Sequence, residues 1–405
     1  MKENWKKNIA LFLSGQAVTL FGSSLVQYAI IWYISIETQS GIMATLITIC
    51  AFAPQVVISI FAGVWADRFS RKKLIIFSDG GIALSTLMLA MLMMKGVNSM
   101  WLLLVISAIR SVGAGIQTPS VNAVIPQLVP EDKLMRINGI NGTIQSIVGL
   151  AAPAASGAIL MSGPIWNVML IDVVTAIIGI GVLLFVPISV ITEDRLPKKG
   201  GYLDDLAAGL RYSFKNKFIL QLLIISGLFM ILMCPAAMLN VLMVTRTFGG
   251  YWHLTMNEVI YFVGAFAGGI MMATWGGFEN RVATLTVGTV LFGIFTVAMG
   301  LTYTFWVYLI FICIVGFSMP MVTTPFLTLL QEKSEPEMQG RVFGISSIIF
   351  SAFAPLAMVF FGPLAEVVSI QTLMIITGIG LVLLGLTVFI RKDFYKAGVK
   401  KRPEQ

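Results

Sequence analysis

Arg110 sits inside the run "WLLLVISAIRSVGAGIQTP", where nothing else is charged, and it is the residue whose type and position most suggest a chemical role. An ion in so apolar a setting is costly unless it is paired or wetted, so such residues are functional candidates by default. Asp79 and Asp172 fall in similar apolar runs and are its candidate partners. A buried cation beside carboxylates can exchange a proton or hold a polar ligand. The competing reading makes Arg110 a structural cation satisfied by helix carbonyls and the two acids packing contacts. Glu37 and Glu258 are further acids within or beside apolar stretches. Other chemistry finds little support. There is one histidine, His253, and no phosphate loop of the form Gly-x-x-x-x-Gly-Lys. No paired carboxylates with a nucleophile are evident either, which argues against an enzyme or an ATP-driven pump. Cys50, Cys234 and Cys313 lie in apolar stretches without ligand spacing, so neither a disulfide framework, a metal nor a cofactor is expected.

Uncharged polar residues form stripes. Gln16, Thr19, Ser23 and Gln27 recur along one apolar run, Thr48, Gln55 and Ser59 along the next, and Gln117 lies two turns beyond Arg110. Asn138, Asn141 and Gln145 form another stripe, and Asn240 stands in a later run. Helix faces turned to lipid have no use for such stripes, so they are expected to face inward, as interhelical hydrogen bonds or as the lining of a cavity.

These side chains need a scaffold, and the composition says which kind. The 405 residues are 57% hydrophobic and only 11% charged, against about 25% charged in soluble chains. Apolar segments fall at 8–36, 41–66, 74–95, 100–129, 137–161 and 164–191, then at 218–245, 255–277, 282–300, 303–330, 341–365 and 370–390. Each is near the ~20 residues a helix needs to cross a bilayer. The basic start "MKENWKK" leads into the first of them, which is expected to be retained as a span. Of the 27 Lys and Arg residues, all but Lys95, Arg110 and Arg246 fall at the chain ends or in alternate connections. That asymmetry places both termini in the cytoplasm. The net charge of +8 therefore points to a membrane surface rather than to nucleic acid.

The longest polar connection splits the spans six and six. The expected domains are a bundle over 1–191, a cytoplasmic linker over 192–217 with an amphipathic run, and a bundle with a short basic tail over 218–405. The halves echo each other. Thr118-Pro119 and Thr324-Pro325 are 206 residues apart, as are Pro130 and Pro336, and Arg136 and Arg341 are separated by 205. A tandem repeat of this kind is a feature of transporters whose two bundles rock about a central site. The expected fold is all-α and integral to the membrane, with twelve spans in two six-helix bundles.

Between the second and third spans stands "GVWADRFSRKKL". It resembles the loop signature of the major facilitator superfamily, with Gly63, Asp67, Arg68, Arg71 and Lys72 matching and Ser70 replacing a glycine. The resemblance implies that Asp67 and Arg68 latch the bundles on the cytoplasmic side in one state and release them in the other. For Arg71, Lys72 and Lys73 an anchor on anionic lipid is an equal alternative. "RSVGAG" around Arg110 resembles the Arg signature of span four. "GINGTIQSIVGLAAPAASG" resembles a degenerate antiporter signature, in which Gly139, Pro153 and Gly157 fit and provide a small-residue face for helix packing, while Val148 and Ala152 replace glycines. The stretches "TPSVNAVIPQLVPED" and "QEKSEPEMQGRVF" resemble the macrolide-efflux branch of the superfamily.

The resemblance implies a monomeric secondary transporter of a bacterial inner membrane that expels a small amphipathic, macrolide-like compound in exchange for protons. The alternative is the same fold importing a nutrient. Proton-driven exporters of this kind often carry an acid in the middle of span one or four. Here span one has none before Glu37, and the acid in question would be Asp79, Asp172, Glu37 or Glu258.

Overall fold

In the computed structural model the chain is almost wholly helical, and residues 5–130, 133–188, 202–335 and 338–399 are described. Six long helices come first: α1 (Trp5–Thr38), α2 (Gly41–Arg68), α3 (Arg71–Met94), α4 (Met100–Leu128), α5 (Leu134–Ser162) and α6 (Trp166–Leu184). After them come α7 (Tyr202–Lys215), α8 (Lys217–Leu232), α9 (Cys234–Ala237) and α10 (Asn240–Thr247). The chain continues through α11 (Tyr251–Trp275), α12 (Arg281–Leu301), α13 (Phe305–Lys333), α14 (Gln339–Val367), α15 (Ile370–Ile390) and the short α16 (Lys392–Ala397). Among the described residues, eleven helices are long and apolar enough to cross a membrane, or twelve if α7 and α8, bent by 106° at their junction, are counted as one more span. Large apolar side chains stay on the outside, among them Phe77, Leu84, Trp101 and Ile177, which suits lipid as the solvent.

The expected seventh span, 218–245, is not a single helix. It breaks into α8, α9 and α10. Pro235 has no N–H to offer the carbonyl four residues back and its ring crowds that turn, so the Met233 N–H closes α8 onto Phe229 O instead. At the other end, the Asn216 side chain accepts from the Phe218 and Ile219 N–H groups and starts a new helix after α7.

The chain forms two units, residues 1–38 with 46–200, and residues 39–45 with 201–405. In the first, α3 packs against both α4 and α6, and α1 packs against α5 and α6. In the second, α12 packs against both α13 and α15, and α11 against α13. The half-chain repeat is most regular where it is easiest to measure: α4 and α13 each run 29 residues and start 205 apart, and so do α5 and α14. In the first unit, Ile9, Phe12, Ile75, Ile125, Ile137 and Leu183 draw five helices into one apolar core. Small residues set the approach of α1 to α6. A methyl group on Gly22 would run into Thr175, and one on Gly179 into Thr19.

Candidate coupling site

That close approach brings Ser23 of α1 against Asp172 of α6, whose Oδ1 accepts from the Ser23 hydroxyl at 3.3 Å. Arg110 reaches the same carboxylate from α4, with Nη1 at 2.5 Å from Asp172 Oδ2. The same Nη1 also donates to the Thr86 hydroxyl on α3, and Nη2 donates to Ser23 O at 3.2 Å. Arg110 is 5% exposed and Asp172 fully buried. Four helices thus converge on one guanidinium, which is the pairing that makes a buried ion tolerable.

A second acid stands beside this pair without a place in it. Asp79 of α3 is 1% exposed, and neither of its oxygens completes a hydrogen bond among the described residues. The Asp172 carboxylate and the Gln117 amide are among the polar groups near it. That amide donates instead to Gln16 Oε1, at 3.4 Å. One cation and two neighbouring carboxyl groups therefore share this interior, so the cluster holds either a net negative charge or a bound proton. An arrangement of this kind can take up a proton and give it back as the helices around it shift.

Among the described residues, the second unit has no equivalent. At the repeat offset of 205, Val315 of α13 stands where Arg110 does and Thr377 of α15 where Asp172 does. The helices are shared by both halves, and the charges are not. A scaffold role common to the repeat would not need ions in one half alone.

The other sequence-derived candidates are scattered. The side chains of Gly63, Asp67 and Arg68 lie outside those described. Arg71 donates to Ala123 O at 2.6 Å, and Lys72 donates to Leu184 O and Val186 O at 2.8 and 2.9 Å. Both tie the start of α3 to neighbouring helices of the first unit, and Lys72 caps the end of α6 as a cation should. Thr19 bonds Gly15 O at 3.0 Å and packs on α6. Gln27 and Gln55 are half-buried, the latter with its N–H donated to Ser111 Oγ at 3.0 Å. Glu37 is exposed in the last turn of α1, apart from the cluster. On α5, Asn138 and Gln145 are exposed and Asn141 half-buried. Among the described residues, nothing beyond its own helix backbone lies within 4 Å of where a Gly139 Cβ would stand, so no close helix packing is seen there. Pro153 and Gly157 are buried where α5 meets α1, and Ser156 between them donates to Leu25 O at 3.2 Å. Asn240 is buried and accepts from the Tyr308 hydroxyl. Thr86 was not singled out from sequence, although its spacing of seven residues from Asp79 puts both on one face of α3. No group of residues that could hold a metal occurs among those described.

Comparison with known proteins gives a consistent result. The sequence profile of the Major Facilitator Superfamily matches residues 12–352 and 235–405. Macrolide efflux protein A of Streptococcus pyogenes is 28% identical over 378 residues, 93% of each chain. A protein of the same name from Enterococcus faecalis is 28% identical over 319 residues, 78% of this chain and 99% of that one. Among solved structures, the nucleoside transporter NupG superposes with a TM-score of 0.74 at 15% identity, over 96% of this chain and 98% of that one. At that identity the superposition speaks for the fold.

Proposed function

The chain belongs to the major facilitator superfamily, and we propose that within it the protein is a drug exporter, moving macrolide-like amphipathic compounds outward in exchange for protons by alternating access. It is a multi-pass transporter of the bacterial plasma membrane, not an enzyme. The end-to-end similarity to macrolide efflux protein A supports the substrate class and the direction.

Proton exchange rests on one observation: a guanidinium shared among four helices, with a second carboxyl group beside it that has no hydrogen bond of its own. Asp172 and Arg110 act as the pair, and Asp79 as the group that gains and loses the proton. In this scheme the bundles are 1–191 and 218–405, joined by the 192–217 linker. Both chain ends face the cytoplasm, Asp67 and Arg68 form the releasable latch, and the monomer is the working unit. Gln16, Gln55, Gln117 and Asn141 are the first candidates for substrate contacts.

The test is expression in a bacterium stripped of its own exporters. Macrolide tolerance should rise, and everted vesicles should accumulate the drug when given an inward-acid pH gradient and stop when a protonophore is added. Unchanged tolerance with the protein present in the membrane overturns the export reading. Accumulation that ignores the protonophore overturns the coupling.

A further inference from the structure

The Arg110 pair has a second polar layer about two helical turns away. A step of seven residues, backwards along α1 and α3, leads from Ser23 to Gln16 and from Thr86 to Asp79. The same step forwards along α4 and α6 leads from Arg110 to Gln117 and from Asp172 to Gly179. The contacts keep this register. Arg110 donates to Ser23 O and to the Thr86 hydroxyl in the first layer, and Gln117 donates to Gln16 Oε1 in the second. Between the layers, a methyl group on Gly113 of α4 would run into Ile82 of α3. One step further on, Lys72 of α3 donates to Val186 O, seven residues past Gly179, at 2.9 Å. The packing of α3 on α4 therefore sets Asp79 beside Gln117.

Apolar layers close the stack. One step beyond the ion pair stand Ile30, Met93 and Leu103, and one step beyond the amides stand Ile9, Val124 and Val186, all buried. Gly179 brings no side chain to the amide layer, and Thr19 fills the space beside it. The Ser78 hydroxyl next to Asp79 is committed to Leu74 O at 2.7 Å. Arg110 on α4 and Asp172 on α6 are the charged groups of the two helices packed against α3, and they hold each other. Among the described residues, the amide of Gln117 is thus the group placed to answer Asp79, whose oxygens complete no hydrogen bond. An amide can serve either form of the acid, since its oxygen accepts from a carboxyl O–H and its N–H groups donate to a carboxylate. The bond from Gln117 to Gln16 is long, at 3.4 Å, and a carboxylate draws the stronger hydrogen bond. We infer that Gln117 is the positioning residue of the proton site, holding Gln16 of α1 while Asp79 is protonated and turning to Asp79 once the proton has left. Charge on α3 is thereby conveyed to α1. The amides turn without exchanging a proton, and Asp79 gives its own to water when the layer opens. The inference rests on the reading of Asp79 as the proton carrier and deepens it, because it names what senses the proton.

The test is infrared difference spectroscopy, acid minus alkaline, on the full chain reconstituted in lipid. The wild type should show the C=O stretch of a protonated carboxyl group that Asp79→Asn removes. Gln117→Met is close in shape but offers neither donor nor acceptor. It should move that band to higher wavenumber, as a less hydrogen-bonded acid does. A merely structural residue would lower the unfolding midpoint and leave the band in place, which overturns the inference. In vesicles, uphill export should fall roughly tenfold or more relative to drug-against-drug exchange, in Gln117→Met and in Gln16→Met. Equal loss of both activities would make the amides substrate contacts and overturn the inference, and intact uphill export in Gln16→Met would overturn the link to α1. Elution profile and thermal unfolding check that each variant is folded. If Gln117→Met fails them, Gln117→Asn, whose amide is one methylene short, takes its place with the same expectation. A carboxyl band that is present and indifferent to Gln117 overturns this inference alone and leaves the proton on Asp79. Absence of the band in the wild type overturns both.

Discussion

Arg110 and Asp172 form an ion pair 2.5 Å long that is almost closed to solvent, its side chains 6% and 0% exposed. The pair joins α4 to α6, and through Ser23 and Thr86 it also holds α1 and α3. Removing one partner leaves an uncompensated charge in a dry interior, at a cost of about 3–5 kcal/mol. Replacing both with apolar residues of similar size is often neutral or stabilising. Arg110→Ala and Asp172→Ala are therefore each expected to lower the thermal midpoint markedly, whereas Arg110→Met with Asp172→Leu should recover it. The double variant separates stability from function, since drug export should stay abolished in it. Restored export alongside restored stability would reduce the pair to a packing device.

Asp79 is expected to behave differently, because it has no partner to strand. Asp79→Asn keeps the shape and removes the titrating group, so the protein should insert and unfold as the wild type does. Uphill export driven by an imposed pH gradient should fall to background. Exchange of drug against drug across the vesicle membrane, which needs no net proton movement, should continue. Uphill export that survives in this variant would take the proton away from Asp79, and loss of exchange as well would make the residue part of the moving framework.

Residues 62 apart in sequence become partners here, and sequence shows how far such a pairing can be foreseen. Arg110, Asp79 and Asp172 announce themselves as ions in apolar runs. Nothing in the runs says which acid meets the cation, because that depends on how closely α1 approaches α6 at Gly22 and Gly179. The repeat was legible because α4 and α13, and α5 and α14, keep equal lengths at a constant offset, so Thr-Pro and Arg-x-x-Gly recur in step. The break at Pro235 was not, since the hydrophobic run continues through it and hydropathy does not register one missing N–H. Lys72 read as part of a loop signature, while its ammonium group serves the end of α6, a helix that begins 94 residues later.

Glu366 shows the same limit from the other direction, and it carries the third prediction. In the second unit, Glu366 Oε1 accepts from the Ser40 hydroxyl at 2.6 Å and from the Ile42 N–H at 3.2 Å. A carboxylate from α14 thereby caps the first turn of α2 and meets the positive end of its dipole. Arg246 reinforces the arrangement, donating to Gln39 O through Nε at 3.2 Å and to Ala365 O at 3.2 Å, with its Nη2 4.0 Å from Glu366. Thr45 closes the segment by donating to Met358 O at 3.1 Å. Loss of such a cap costs about 1 kcal/mol, which corresponds to a local opening roughly fivefold more frequent. Amide exchange measured by mass spectrometry should therefore quicken by about that factor over residues 39–45 in Glu366→Ala, with little change along α12 or α15. Glu366→Gln retains an acceptor for Ser40 and Ile42 and should fall between the two. Exchange over 39–45 that is indifferent to both substitutions would show that Arg246 and Thr45 hold the turn without the carboxylate.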